Sequence, residues 1–169
     1  MTEPFVRVED LHVTFPTEDG LVHAVDGVTF DVVRGKTLAI VGESGSGKSV
    51  TSQAIMGLLN RRTTRIEGKV WIGDREVVSA SDEELRRMRG SVMSMIFQDP
   101  FASLHPFYRI GAQLVEAVRA HRKVSKAEAR GIAQDMLRRV GIPNPERRLD
   151  DYPHQLSGGM RQRVMIAMA

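Results

Sequence analysis

Cysteine is absent from the 169 residues. The chain therefore forms no disulfide and offers no thiolate to zinc or an iron–sulfur cluster. Long apolar runs are missing too. None approaches the roughly 18 residues that cross a bilayer as a helix. Residues 1–10 lack the basic and then apolar order of a secretory leader. This reads as a cytosolic address that leaves membrane docking open. Charge of one sign is scarce: 24 Lys and Arg against 21 Asp and Glu leave a net charge of +3, a weak argument for nucleic acid or anionic lipid. No repeat, low-complexity tract or disordered linker interrupts the chain. His105, His121 and His154 lack paired metal-ligand spacing and read as surface or packing residues. With 41% hydrophobic and 27% charged residues, what remains is ordinary for one globular domain.

Against these absences stands one dense motif. Gly42, Glu43, Ser44, Gly45, Ser46, Gly47, Lys48 and Ser49 fit G-x-x-x-x-G-K-[ST], the phosphate-binding loop. Residues 37–41 before it form a short apolar run that reads as a buried strand. Val50, Ala54, Ile55, Leu58 and Leu59 after it recur at helical spacing. Glycines let successive N–H groups face one point, and a helix start adds its unpaired N–H groups and partial positive charge. Lys48 can reach the last two phosphates, and the Ser49 hydroxyl can hold Mg²⁺. A structural glycine turn is the plainer alternative. The dinucleotide fingerprint fails, because Gly45 and Gly47 would require glycine at position 50, which is Val50.

The fold class expected is α/β. Val6, Val8, Leu11, Val13 and Phe15 alternate with polar residues, with a slip at Glu9-Asp10 that marks a kink or bulge. Residues 16–20 read as a turn, and residues 21–25 and 28–33 as two strands split by Asp26-Gly27. Residues 67–72 and 75–78 read as a hairpin about Gly73-Asp74. Residues 94–97 read as a brief buried strand ended by Gln98-Asp99-Pro100. Ser81-x-x-Glu84 and Ser125-x-x-Glu128 are capping boxes, each opening a helix. Apolar stripes follow at Ile110, Leu114, Ala117, Val118 and His121, and at Ile132, Ala133, Met136, Leu137 and Val140. Gly141 and Pro143 stop the second helix. Arg61, Arg62 and Arg65 suit either a solvated face or a phosphate or lipid contact. Phe15 suits either a core-facing strand position or stacking on an adenine.

A second prepared helix start closes the sequence. Leu156, Ser157, Gly158, Gly159, Met160, Arg161, Gln162 and Arg163 precede an apolar run. Ser157 is a natural N-cap, and two glycines admit a ligand to the first turn. A merely capped helix would fit the same residues. Taken together, Gly42–Ser49 and Leu156–Arg163 resemble the ATP-binding subunits of ABC transporters. The later stretch is similar to their signature motif, with Met160 where many members carry Gln. Gln98 resembles the Q-loop glutamine. Phe15 falls where the family places its adenine-stacking aromatic. The resemblance implies a P-loop NTPase (RecA-like) core with an N-terminal antiparallel β-subdomain and a helical subdomain. Residues 1–100 would be the β-subdomain and part of the core, 101–157 the helical subdomain, and 158–169 the start of the signature helix.

Finer features are similar to the oligopeptide and dipeptide importers, a group that includes nickel and glutathione importers. They are Gln98-Asp99-Pro100, Ser103-Leu104-His105-Pro106, residues 141–145, and Tyr152-Pro153-His154-Gln155 leading into Leu156. His105 stands where that group usually has Asn. The resemblance implies ATP and Mg²⁺ as cofactors, with Ser49 and Gln98 toward the metal and Gln98 positioning water. It implies a dimer with a homologous ATPase subunit, in which Leu156–Gln162 of one subunit close over ATP on the other. Two membrane permease subunits and, indirectly, a substrate-binding protein complete the partners. No nucleic acid is expected, and the location implied is peripheral, on the cytoplasmic face of the membrane. The family's apolar strand ending in Asp-Glu and its switch histidine have no counterpart in these residues. The expectation is a C-terminally truncated part of a longer subunit, one that binds nucleotide at best without normal turnover. A soluble ABC ATPase acting on nucleic acid or the ribosome, and a non-catalytic fragment, are the competing readings.

Overall fold

The computed structural model describes residues 3–99 and 103–169. Pro100 and residues 101–102 of the sequence reading lie outside them. The chain divides into two units, Met1–Arg89 and Gly90–Ala169.

The first unit is built on a long hairpin, β1 (Pro4–Thr17) and β2 (Gly20–Val33). Helix α1 (Lys48–Ile55) follows, then β3 (Arg65–Ile72), β4 (Arg75–Glu76) and α2 (Asp82–Met88). The sheet runs β2-β1-β3-β4, and every pair is antiparallel. The slip expected at Glu9-Asp10 is a bulge: both ladders of β1 shift register there, and Asp10 has φ 48°. Strict alternation would put Val8 and Leu11 on opposite faces. The extra residue resets the phase, and both are fully buried. Gly68 of β3 crosses this bulge, where a Cβ would stand 2.2 Å from the Asp10 carbonyl oxygen.

Asp26-Gly27 does not split a strand. Leu11 pairs with Val28 and Val13 with Val25, so two residues of β2 oppose His12 alone. Gly27, at φ 67°, supplies the left-handed backbone this second bulge needs, and β2 runs through it. The hairpin at Gly73-Asp74 forms as read, although its second arm is only two residues long.

The two short strands at residues 37–41 and 94–97 do not form. Both stretches are irregular. Leu38 and Ile40 are exposed, Val41 is 89% exposed, and Ile96 and Phe97 are exposed as well. A strand is a paired structure, and no described residue ladders with either stretch. An apolar run reports affinity for a sheet, not the presence of a neighbour.

The second unit is helical: α3 (Ile110–His121), α4 (Lys126–Arg139), α5 (Pro145–Arg148), a 3₁₀ turn (Pro153–Gln155) and α6 (Gly158–Met168). Ile110, Leu114, Ala133, Leu137, Leu149 and Val164 centre its core. The α4 stripe is rotated from the expected one. Ala129, Ala133 and Leu137 are buried, while Ile132, Met136 and Val140 sit at its margin. Both capping boxes form with their reciprocal bonds. Helix α4 ends as read. The Gly141 N–H donates to the Arg138 carbonyl and the Ile142 N–H to the Leu137 carbonyl, with Gly141 at φ 73°, a Schellman motif.

Candidate functional site

The glycine loop is organised by its own backbone and by β2. Gly45 and Gly47 both have φ 85°. Gly47 has a second reason to be glycine: a Cβ there would stand 2.2 Å from the Ala24 carbonyl oxygen of β2. Gly47 is also the N-cap of α1, and it has no side chain to offer the first-turn N–H groups. The positive end of the helix is thus left for an outside anion.

Lys48 turns back over this loop. Its ammonium donates to the Gly42 carbonyl at 2.8 Å, to the Glu43 carbonyl at 2.5 Å and to Ser46 Oγ at 3.1 Å. The body of α1 is held by buried Thr51 and Ala54. Thr51 Oγ donates to the Gly47 carbonyl at 3.0 Å, and Ser52 Oγ to that of Lys48 at 3.1 Å. Ser49 is exposed on the first turn. Among the described residues no cluster of three His, Asp or Glu could hold a metal. A lone hydroxyl suits Mg²⁺ that arrives with phosphate oxygens and keeps its waters. Phe15 is half-buried in β1, opposite Val22, two residues before Ala24.

The second helix start lies in the other unit. Leu156 is buried and anchors the turn before α6. Ser157 caps α6, its Oγ accepting from the Met160 N–H at 3.4 Å. A Cβ at Gly158 or Gly159 would meet nothing within 4 Å. The chain's own packing leaves this surface open. Met160 is half-buried against the helical core, so an apolar residue is at home there. Arg161 turns inward, donating to the Pro153 carbonyl at 2.7 Å. Gln162 is exposed, and so is Gln98, which sits in the irregular stretch after residue 93.

Two arginines matter more than their sequence context suggested. Arg61 is no loose surface charge: it donates to the Ala80 carbonyl at 2.6 Å and the Val77 carbonyl at 2.9 Å. Arg89, unmarked in the sequence, donates through Nε to the Met56 carbonyl at 3.0 Å and through Nη2 to that of Gly57. Neither had a local signal, since the acceptors lie 16 to 33 residues away. His12 carries no sequence signal either. Its ring bonds Asp10 and Asp26 at 3.0 Å each and so joins the two bulges.

An antiparallel β-unit, a glycine loop entering a helix and a helical unit ending in a glycine-started helix together define an ATP-binding cassette. A solved example of the class superposes with TM-score 0.82 at 26% identity, over 96% of this chain and 68% of that one: the ATP-binding cassette MJ0796, described as dimeric and bound to ADP and Pi. The ABC transporter family model matches residues 25–169, and the chain belongs to that family. It is 52% identical over 168 residues to the dipeptide transport ATP-binding protein DppD of Bacillus subtilis. It is 49% identical over 167 residues to the oligopeptide transport ATP-binding protein OppD of Escherichia coli. Each alignment covers 99% of this chain. The chain spans about half the length of these relatives, 50% and 49%.

Proposed function

We propose that this chain is the nucleotide-binding part of an ATPase subunit that drives import of peptides or similar small solutes. The observation that supports it is Lys48, poised over a glycine loop at the uncapped start of α1. The ATP phosphates take the first-turn N–H groups, and Lys48 exchanges the carbonyls of Gly42 and Glu43 for phosphate oxygens. By the family resemblance Ser49 would be a ligand to the Mg²⁺ that accompanies the nucleotide, and Gln98, in the second unit, would take the role of the Q-loop glutamine. Phe15 stacks on the adenine.

Residues Leu156–Gln162 complete the site of a homologous subunit across a two-fold axis. Among the described residues there are two glycine-opened helix starts but one loop lysine, and a symmetric pair would match each loop with the other's open start. In this reading residues 1–100 carry the β-subdomain and the phosphate loop, 101–157 the helical subdomain, and 158–169 the start of the signature helix. Two permease subunits and a substrate-binding protein complete the assembly, with this subunit peripheral on the cytoplasmic side. No helix of the described residues is long and apolar enough to cross a membrane.

The site is tested by titrating the native polypeptide that carries these residues with a fluorescent ATP analogue. Saturable binding competed by ATP and lost in Lys48→Ala is expected; binding indifferent to Lys48→Ala sinks the site. The substrate class is tested by deleting the gene and measuring uptake of labelled di- and oligopeptides, where unchanged uptake rejects it.

A further inference from the structure

Helix α1 has eight residues, about 12 Å of helix, too short to hold itself together in water. Its N-terminal end is left for a ligand. What aligns it must act elsewhere, and the structure concentrates the ties at its C-terminal end. The Gly57 N–H donates to the Ala54 carbonyl at 3.0 Å and the Leu58 N–H to the Gln53 carbonyl at 2.9 Å, a second Schellman motif. Leu85 of α2 closes over Gly57, where a Cβ would lie 2.7 Å from Leu85 Cδ1. The carbonyls of Met56 and Gly57, just beyond the last turn, are both taken by the Arg89 guanidinium.

The arrangement is reciprocal. Arg61, shortly after α1, grips two carbonyls just before α2. Arg89, just after α2, grips two carbonyls just after α1. Each guanidinium thus ties the chain beside one helix to the chain beside the other. Only the Arg89 fork takes carbonyls directly at the end of α1. It also puts a cation at the negative end of the helix dipole whose positive end faces the ligand.

We infer that Arg89 is a positioning residue for the phosphate site, acting through α1 on nucleotide affinity without touching the nucleotide. The inference rests on the reading of Gly42–Ser49 as that site. The test uses the native polypeptide that carries these residues, titrated with a fluorescent ATP analogue well below its Tm, with Tm recorded for each variant. Arg89→Ala should weaken binding about three- to tenfold. Arg89→Lys keeps the charge but not the two-pronged fork, and it should recover part of the loss. Arg61→Ala should lower Tm while leaving the Kd within about twofold, because its fork holds the approach to α2.

An Arg89→Ala protein that melts earlier yet binds with wild-type Kd overturns the inference and leaves Arg89 purely structural. If Arg89→Ala fails to fold, Arg89→Lys decides: a Kd weakened by about threefold supports the inference and an unchanged Kd rejects it. Wild-type protein that binds no nucleotide, or Lys48→Ala that binds as wild type does, overturns the phosphate-site reading itself and the inference with it. That result is distinct from sound wild-type binding with an indifferent Arg89.

Discussion

The Lys48 ammonium donates to the carbonyl oxygen of Gly42 at 2.8 Å, closing the glycine loop on itself. In the proposed site the same cation would meet the nucleotide phosphates. Lys48→Ala should weaken ATP binding about 10- to 100-fold, since a hydrogen bond to a charged group is worth about 1.5–3 kcal/mol. Ser46→Ala keeps the Lys48 charge and removes only one of its three ties, and should change affinity by less than about threefold. Calorimetric titration of both variants separates these outcomes, and equal losses would mean that the loop's shape, rather than the Lys48 charge, sets affinity.

The glycines divide by what surrounds them. Gly47→Ala combines a left-handed φ with a Cβ 2.2 Å from the Ala24 carbonyl. It should cost at least about 1–3 kcal/mol and abolish nucleotide binding. Gly158→Ala and Gly159→Ala meet open space and should leave stability unchanged or raise it by up to about 1 kcal/mol. Loss of ATPase activity in those two variants of the native polypeptide that carries these residues, without loss of Tm, would show that their glycines serve a bound partner or ligand.

The capping boxes give a stability prediction independent of function. Ser81→Ala and Ser125→Ala each remove the side-chain oxygen that accepts an N3 N–H. Each should cost about 1 kcal/mol, read as a lower urea midpoint at constant m-value.

His12 makes stability depend on pH in a stated direction. Its hydrogen bond to Asp10, helped by Asp26, raises its pKa above 6.5 against the opposing effect of burial. A raised folded-state value favours the imidazolium. The contribution is therefore fully present below about pH 6.5 and lost as pH rises through the raised value. His12→Gln should flatten Tm against pH across that window. A wild-type Tm that does not fall from pH 6 to pH 9 relative to the variant would refute this role for the Asp10–His12–Asp26 link.

Much of this protein was decided within six residues along the chain. Ser81 with Glu84, Ser125 with Glu128, Gly73-Asp74, and Gly141 after α4 each make their bonds locally, so residue identity and spacing determined them. The Gly42–Ser49 motif belongs here too, because its turns and its lysine ring close inside the motif. Other features depend on partners that spacing does not reveal. Residues 37–41 and 94–97 have the composition of strands, yet no ladder forms among the described residues. Asp26-Gly27 looked like a break and is a bulge, because β1 continues to pair on both sides of it. The clear space around Gly158 and Gly159, and the contact of Gly47 with Ala24, are matters of which distant atoms arrive. Arg61 suits a solvated face or a phosphate or lipid contact by sequence, and Arg89 carries no sequence signal; folding delivers each to two carbonyls far away in sequence. Hydrogen-bonding capacity is written in the residue; the partner that satisfies it is chosen only when the chain folds back.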